Sequence, residues 1–302
     1  MRLVTYHDAR GGLRTGAVEG ERIVDLTDAI ASLSLPARAV QCGLSPAPGS
    51  MLHLLCAGAD GFAAALRHVA TGRPGPVLRE TRLAAPVPRP GKIVGIGRNY
   101  ADHAKETGVQ PFERPRLFGK LPSSATGHGA TVPRPRGVAK LDFEAELGVV
   151  IGAFARDVPR DRALAAVAGY TILNDLSARE FQFDVSPPQT TFAKSMDGFC
   201  PMGPWLVTAD EIADPQALAI RSYVNGAPMQ QGSTADMLFP VDRLVEYISG
   251  FMTLEPGDVI ATGTPAGSGA FRKPPVWLQP GDRVRIEIER IGVLEHAIGE
   301  PA

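Results

Sequence analysis

The chain has 302 residues, with 31 Lys and Arg against 32 Asp and Glu, for a formal net charge of −1. That balance argues against a basic face for nucleic acid or an anionic membrane, and the apolar runs are too short to span a bilayer. The three cysteines, Cys42, Cys56 and Cys200, are too few and too widely spaced for a disulfide framework or a zinc site, so a reduced, cytoplasmic protein is expected, long enough for one large domain and a small one.

Met1-Arg-Leu-Val-Thr-Tyr opens as a strand rather than as a signal peptide. Leu3–Tyr6, Arg14–Val18 and Arg22–Leu26 read as short strands, with turns at Gly11-Gly12 and Glu19-Gly20. Thr27-Asp28 reads as a cap before Ala29–Ala31, and residues 51–70 carry helix-like apolar spacing interrupted by Gly58 and Gly61. Ala84-Ala-Pro-Val-Pro-Arg-Pro-Gly91 is a Pro-rich connector, so the expected division is a small N-terminal α/β domain over 1–83 and a larger domain over 84–302. Beyond it strands dominate, with helices near Asp102–Thr107, Arg160–Ala168 and Pro240–Phe251 and a hairpin at Val224-Asn225-Gly226. With 33 Gly and 27 Pro, the fold class is α+β and β-dominated.

The first stretch that carries chemistry follows the connector. Gly95-x-Gly97 lacks the third glycine of a dinucleotide fingerprint, since Tyr100 stands there. His103 and Glu106, three residues apart, share a helix face that Gly108 can terminate. They are either an exposed pair on a surface helix or a lid that carries a Glu-polarised His base. Lys120 closes the apolar run Leu117-Phe118-Gly119 ahead of a small-residue loop, which suits a binding loop and a surface turn equally.

Period-two alternation then places Asp142, Glu144 and Glu146 on one strand face and Leu141, Phe143, Ala145 and Leu147 on the other. Carboxylates two residues apart start about 6.7 Å from one another and repel by roughly 2.5 kcal/mol at an effective dielectric near 20. Either solvent covers a half-exposed acidic face, or Glu144 and Glu146 share a hard divalent ion. Val149-Val150-Ile151, apolar on both faces, makes solvent the poorer candidate at the far end.

Asp175, just past the strand Gly169–Asn174, is a third oxygen ligand or a helix N-cap. Arg179 has the planar fork for a substrate carboxylate, and Gln182 lies one turn on. Lys194 sits between apolar residues, where a lysine snorkels, pairs with an acid or acts in catalysis. Thr262-Gly263-Thr264-Pro-Ala-Gly267 ends a strand in hydroxyls and backbone donors that can hold a carboxylate or carbonyl oxygen, or form a tight turn. Phe181, Phe183 and Trp205 are candidate pocket walls.

In order along the chain, Gly97-Arg98-Asn99-Tyr100…His103…Glu106, Asp142-Phe-Glu144-Ala-Glu146-Leu-Gly148, Asn174-Asp175-Leu-Ser-Ala-Arg179, Ala193-Lys194-Ser195 and Thr262-Gly-Thr-Pro-Ala-Gly267 resemble the fumarylacetoacetate hydrolase superfamily. The resemblance runs from about Lys92 to the C-terminus. No single motif is decisive, but the ordered set is specific. It implies a mixed β-roll or barrel catalytic domain, a homodimer, and Mg²⁺ or Mn²⁺ (Ca²⁺ in crystals) held by Glu144, Glu146 and Asp175. It further implies a His103–Glu106 pair on a lid, Lys194 beside the metal, and substrate contacts from Arg98, Tyr100, Lys120, Arg179, Gln182, Thr262, Gly263 and Thr264.

Substrates of the family are 2-oxo and 1,3-dicarbonyl acids. The expected reaction is hydrolytic C–C cleavage of a 2,4-diketo acid of the acylpyruvate or fumarylpyruvate type, through an enolate held at the metal and a water activated by the His–Glu pair. Decarboxylation, isomerisation or hydration of a related 2-oxo diacid, of the oxaloacetate or 2-hydroxyhepta-2,4-diene-1,7-dioate type, is the alternative. A non-catalytic metal-binding member is a third reading. Residues 1–83 are shorter than the N-terminal domain of the long fumarylacetoacetases, and the minimal acylpyruvate hydrolases lack one. The chain looks like bacterial members of intermediate length, many of which serve aromatic-ring or sugar-acid catabolism.

Overall fold

The computed structural model describes residues 1–108, 110 and 112–301. The N-terminal alternation forms an antiparallel meander of β1 (Arg2–His7), β2 (Leu13–Glu19) and β3 (Arg22–Asp25). After it come α1 (Thr27–Ala31), α2 (Ala37–Gln41), α3 (Met51–Thr71) and β4 (Pro74–Val77), which pairs with β3. Thr27 does not cap α1. Its N–H donates to Asp25 Oδ1 at 2.8 Å and its hydroxyl accepts from the Thr15 N–H at 3.0 Å, so the acid two residues earlier ties the turn. The Ser50 hydroxyl caps α3, and Gly58, at φ 57° and ψ −130°, kinks it with a backbone that a side chain would strain.

Past the connector the chain forms β5 (Ile93–Gly97), α4 (Ala101–Glu106), β6 (Arg116–Lys120), β7 (Ala125–Thr126), β8 (Thr131–Pro133), β9 (Leu141–Asp142) and β10 (Ala145–Ile151). Next are α5 (Arg160–Ala163), β11 (Val167–Asn174), β12 (Ser177–Ala178), α6 (Arg179–Phe183), α7 (Thr190–Ala193) and β13 (Cys200–Thr208). The last third holds β14 (Ala219–Val224), β15 (Ala227–Ser233), α8 (Val241–Ser249), β16 (Val259–Ala261), β17 (Arg283–Ile288) and β18 (Gly292–Gly299). Asn225 and Gly226 both take positive φ, 51° and 82°, as a tight β14–β15 hairpin requires. The helix expected over Arg160–Ala168 is α-helical to Ala163 and continues as a 3₁₀ turn over Leu164–Ala166, ending there because Val167 is drawn into β11 between β10 and β13.

A large mixed sheet runs in the order β4-β3-β2-β1-β13-β11-β10-β16-β5-β6, and a second in the order β15-β14-β17-β18-β8. They pack as an open roll around one core that takes Leu147, Ile172 and Tyr170 from the first and Ile220, Ile286 and Leu294 from the second. Neither sheet closes into a barrel among the described residues. The N-terminal segment is continuous with the rest. β1 pairs with β13, and Leu3, Leu26 and Leu54 share a core with Ile93, Val150 and Leu173. No helix among the described residues is long and apolar enough to cross a membrane.

The acidic stretch departs most from the expectation of a half-exposed strand. All of Leu141–Ile151 is buried, since β10 lies between β11 and β16. The strand is also interrupted at Phe143-Glu144. There the Glu144 N–H donates to Asn174 Oδ1 at 3.0 Å and the Phe143 N–H to Asp142 Oδ1 at 2.8 Å. No half-exposed strand face remains to dilute the carboxylates.

Candidate active site and metal centre

Burying acids on adjacent strand positions demands compensation. The tertiary structure provides it from three separate elements. Lys194, after α7, donates from Nζ to Glu144 Oε2 at 2.7 Å, Asp175 Oδ2 at 2.6 Å and Ser177 Oγ at 2.7 Å. Lys120, the last residue of β6, donates to Asp175 Oδ1 at 2.6 Å and to the Lys194 carbonyl. Arg179, the first residue of α6, bonds Asp142 Oδ2 through Nε at 2.8 Å, Glu144 Oε1 through Nη2, and Gln182 Oε1 through Nη1 at 2.7 Å.

Four buried carboxyl groups, Asp142, Glu144, Glu146 and Asp175, therefore meet three cations, and Glu146 is the one left without a cationic donor. Among the described residues it accepts only the Gly263 N–H, at 2.9 Å. Burial, with Asp175 and Glu144 adding to it, pushes the Glu146 carboxyl well above its ordinary range. Burial acts on Glu144 too, but Arg179 and Lys194 more than offset it and hold that carboxyl below the usual range. Burial opposes the Lys194 charge, yet Asp175 and Glu144 keep the ammonium protonated.

Glu144, Glu146 and Asp175 each bring an oxygen within 4.8 Å of the others. A hard dication fits this set on two counts. The donors are all carboxylate oxygens, and the cluster carries one acid more than its own cations neutralise.

The second group is on α4. His103 Nδ1 lies 3.1 Å from Glu106 Oε2, the expected i,i+3 pairing, so the proton is assigned to Nδ1 and Nε2 keeps its lone pair. Glu106 also accepts the Gly267 N–H at 3.1 Å, and the His103 ring meets Phe271 edge-on at 5.4 Å. The hydroxyl-rich loop thus uses its backbone donors on the protein's own acids, Gly263 on Glu146 and Gly267 on Glu106. These two donors are therefore not free for a substrate oxygen.

His103, Glu144, Glu146 and Lys194 open on one cleft of about 250 Å³, walled by Phe118, Phe183 and Phe271. Arg98, Arg179, Gln182 and Thr264 line it as well. Tyr100, Lys120, Thr262 and Gly263 do not. Tyr100 is buried in the main core, Lys120 is held on Asp175, and the Thr262 hydroxyl donates to the Leu147 carbonyl at 2.8 Å. Phe181 packs on Phe192, and the Trp205 indole N–H donates to the Ile291 carbonyl at 2.6 Å, so neither joins Phe183 in the wall. The structure adds Asp142 as an anchor of Arg179, Asn174 as the anchor of the Glu144 backbone, and Arg116 at the rim. Asp142 was visible in the acidic alternation and Asn174 in its place beside Asp175. Arg116 gave no local signal.

An open roll of two sheets around a carboxylate-floored cleft with a His–Glu pair defines a class of enzymes built on one fold. The family model described as "Fumarylacetoacetate (FAA) hydrolase C-terminal" matches residues 92–299, and the chain belongs to that family. Human "Oxaloacetate tautomerase FAHD2A, mitochondrial" is 43% identical over 247 residues, which cover 82% of this chain and 79% of that one. A solved fumarylacetoacetate hydrolase from psychrophilic Exiguobacterium antarcticum is 34% identical with a TM-score of 0.82 and 99% coverage of both chains. Maleylpyruvate hydrolase from Sphingobium sp. SYK-6, in complex with manganese(II) and pyruvate, is 30% identical with a TM-score of 0.80 and 100% coverage of both.

Proposed function

We propose that the protein hydrolyses the C–C bond between the two carbonyls of a 2,4-diketo acid of the acylpyruvate or fumarylpyruvate type. Glu144, Glu146 and Asp175 would hold Mg²⁺ or Mn²⁺, which when bound supplies Lewis acidity for the 2-oxo group. The observation that carries the reading is that a polarised histidine and a charged lysine open on the same small cleft as Glu144 and Glu146.

Glu106 accepts the Nδ1 proton of His103, which leaves Nε2 to take a proton from a water that attacks the distal carbonyl. The bond from that carbon to the central carbon then breaks. Its electron pair stays with the 2-oxo acid fragment, which the His103 imidazolium reprotonates, so one water is divided between the two acid products. Lys194, kept charged by Glu144 and Asp175, offers its ammonium to the developing oxyanion. Arg179, fixed by Asp142, holds Glu144 in place and presents Gln182 at the cleft. Pyruvate in the maleylpyruvate hydrolase complex supports a 2-oxo acid product.

With His103→Ala, pyruvate release from an acylpyruvate is expected to fall ~10²–10⁴-fold, with the melting temperature retained. Undiminished turnover would remove His103 as the base. The 43% identity to the oxaloacetate tautomerase favours a second reading, in which the same base moves a proton between C3 and the enol oxygen of a short 2-oxo diacid with no attack by water. Decay of enol absorbance without release of pyruvate selects that reading.

A further inference from the structure

We propose that Arg98 and Arg116 form an anion site at the mouth of the cleft that selects diacids over monoacids, by taking the carboxylate remote from the 2-oxo end. This rests on the reading of the cleft as a 2-oxo acid site. Strand β6 runs from floor to mouth. Its alternate residues Arg116, Phe118 and Lys120 share one face and pass from exposed through half-buried to buried. The Lys120 ammonium is on Asp175, Phe118 lies under the Lys194 ammonium at 5.0 Å, and Arg116 begins the strand about 13 Å along from Lys120.

The β5–β6 register sets Gly97 opposite Arg116, so Arg98, the next residue, emerges at the same rim. Arg98 holds φ at +57°, an arrangement a non-glycine residue keeps only where surrounding structure enforces it, and such positions concentrate at ligand sites. Both guanidinium groups sit over the Phe112 ring, at 5.4 and 5.9 Å.

Among the described residues no carboxylate pairs with either guanidinium. Burial and the neighbouring Arg116 charge lower the Arg98 pKa, and no acid counters them. The arginine and lysines at the floor (Arg179, Lys120 and Lys194) each have an acid at hydrogen-bond distance. Two like charges held together on the rim of a cleft lack an anion, and two planar forks suit a carboxylate.

The test is calorimetric titration of the full chain in Mn²⁺ with 2-oxoadipate and with 2-oxohexanoate, which has the same length but no second carboxylate. The diacid should bind about tenfold or more tightly, as for hydrogen bonds to charged groups. That ratio should collapse in Arg98→Gln and in Arg116→Gln and be partly restored in Arg116→Lys. Equal binding of the two acids by the wild type, or a ratio that survives both Gln variants, overturns the proposal. If the Arg98 variant fails to fold, Arg116→Gln at the exposed strand end decides alone. Because the readout is binding, a wild-type diacid preference that collapses in the Gln variants of a protein that cleaves no acylpyruvate sinks the hydrolase reading and leaves the anion site standing.

Discussion

At the floor of the cleft Arg179 bonds Asp142 and Glu144, Lys194 bonds Glu144 and Asp175, and Lys120 bonds Asp175. At the mouth Arg98 and Arg116 share the face of Phe112, and among the described residues no carboxylate pairs with either. The difference follows from dielectric surroundings. A fully buried ion without a partner costs several kcal/mol, so the floor has to be satisfied by the protein itself. Near water, two unpaired guanidinium groups are screened and cost little, so the mouth can hold charge in readiness for a ligand. The floor is built to grip an ion and the mouth to recognise one.

The sharpest challenge to that comparison is a pair of arginine substitutions. Arg179→Met leaves Asp142 and Glu144 buried without their guanidinium and is expected to cost about 3–5 kcal/mol in denaturant unfolding. Arg116→Met should change stability by less than about 1 kcal/mol. Equal effects would dissolve the distinction between floor and mouth.

The next largest effect tests the backing of the floor. His296 lies within 2.7 Å of Asn174 Nδ2, and Asn174 in turn holds the Glu144 N–H. Burial lowers the His296 pKa from 6.5 to about 4. The unfolded chain takes up a proton in that interval and the folded chain refuses it. Stability is therefore fully present above pH 6.5 and lost as pH falls towards 4, by about 3 kcal/mol at most. His296→Asn should flatten this acid limb in urea melts run across that range. An unchanged slope would assign the limb to other groups.

A dication should add its own increment. At a hundredfold excess over its Kd, Mn²⁺ is expected to stabilise the wild type by about 2.7 kcal/mol, read as a rise in melting temperature that a chelator reverses. Glu146→Gln should lose most of that rise, because the carboxyl with no cationic donor is replaced by an amide. A full rise in the variant would exclude Glu146 as a ligand. The smallest effect belongs to Glu106→Gln, for which turnover should fall about ten- to hundredfold while Mn²⁺ stabilisation persists. Loss of both together would show that α4 supports the floor rather than serving as a separate wall.

Much was legible in the residues alone. Positive φ at an Asn-Gly turn and the three-residue spacing of His103 and Glu106 both rest on geometry within one turn. Such short-range rules hold wherever the segment ends up. The end of α5 and the cap of α1 escaped the same rules, since β11 pairing claimed Val167 and the Asp25 side chain took the Thr27 N–H.

The chain by itself determined which side chains are candidates for the chemistry and, by spacing, that His103 pairs with Glu106. Only the tertiary structure decided that the acidic face is buried apart from the cleft, that Lys120 and the Thr262–Gly267 loop serve the protein's own carboxylates, and that Arg116 faces the cleft beside Arg98. The physical reason is that partners of a buried charge come from distant parts of the chain, 19 positions away for Lys194–Asp175 and 117 for Gly263–Glu146. Local periodicity carries no information about which distant segment will be packed against it.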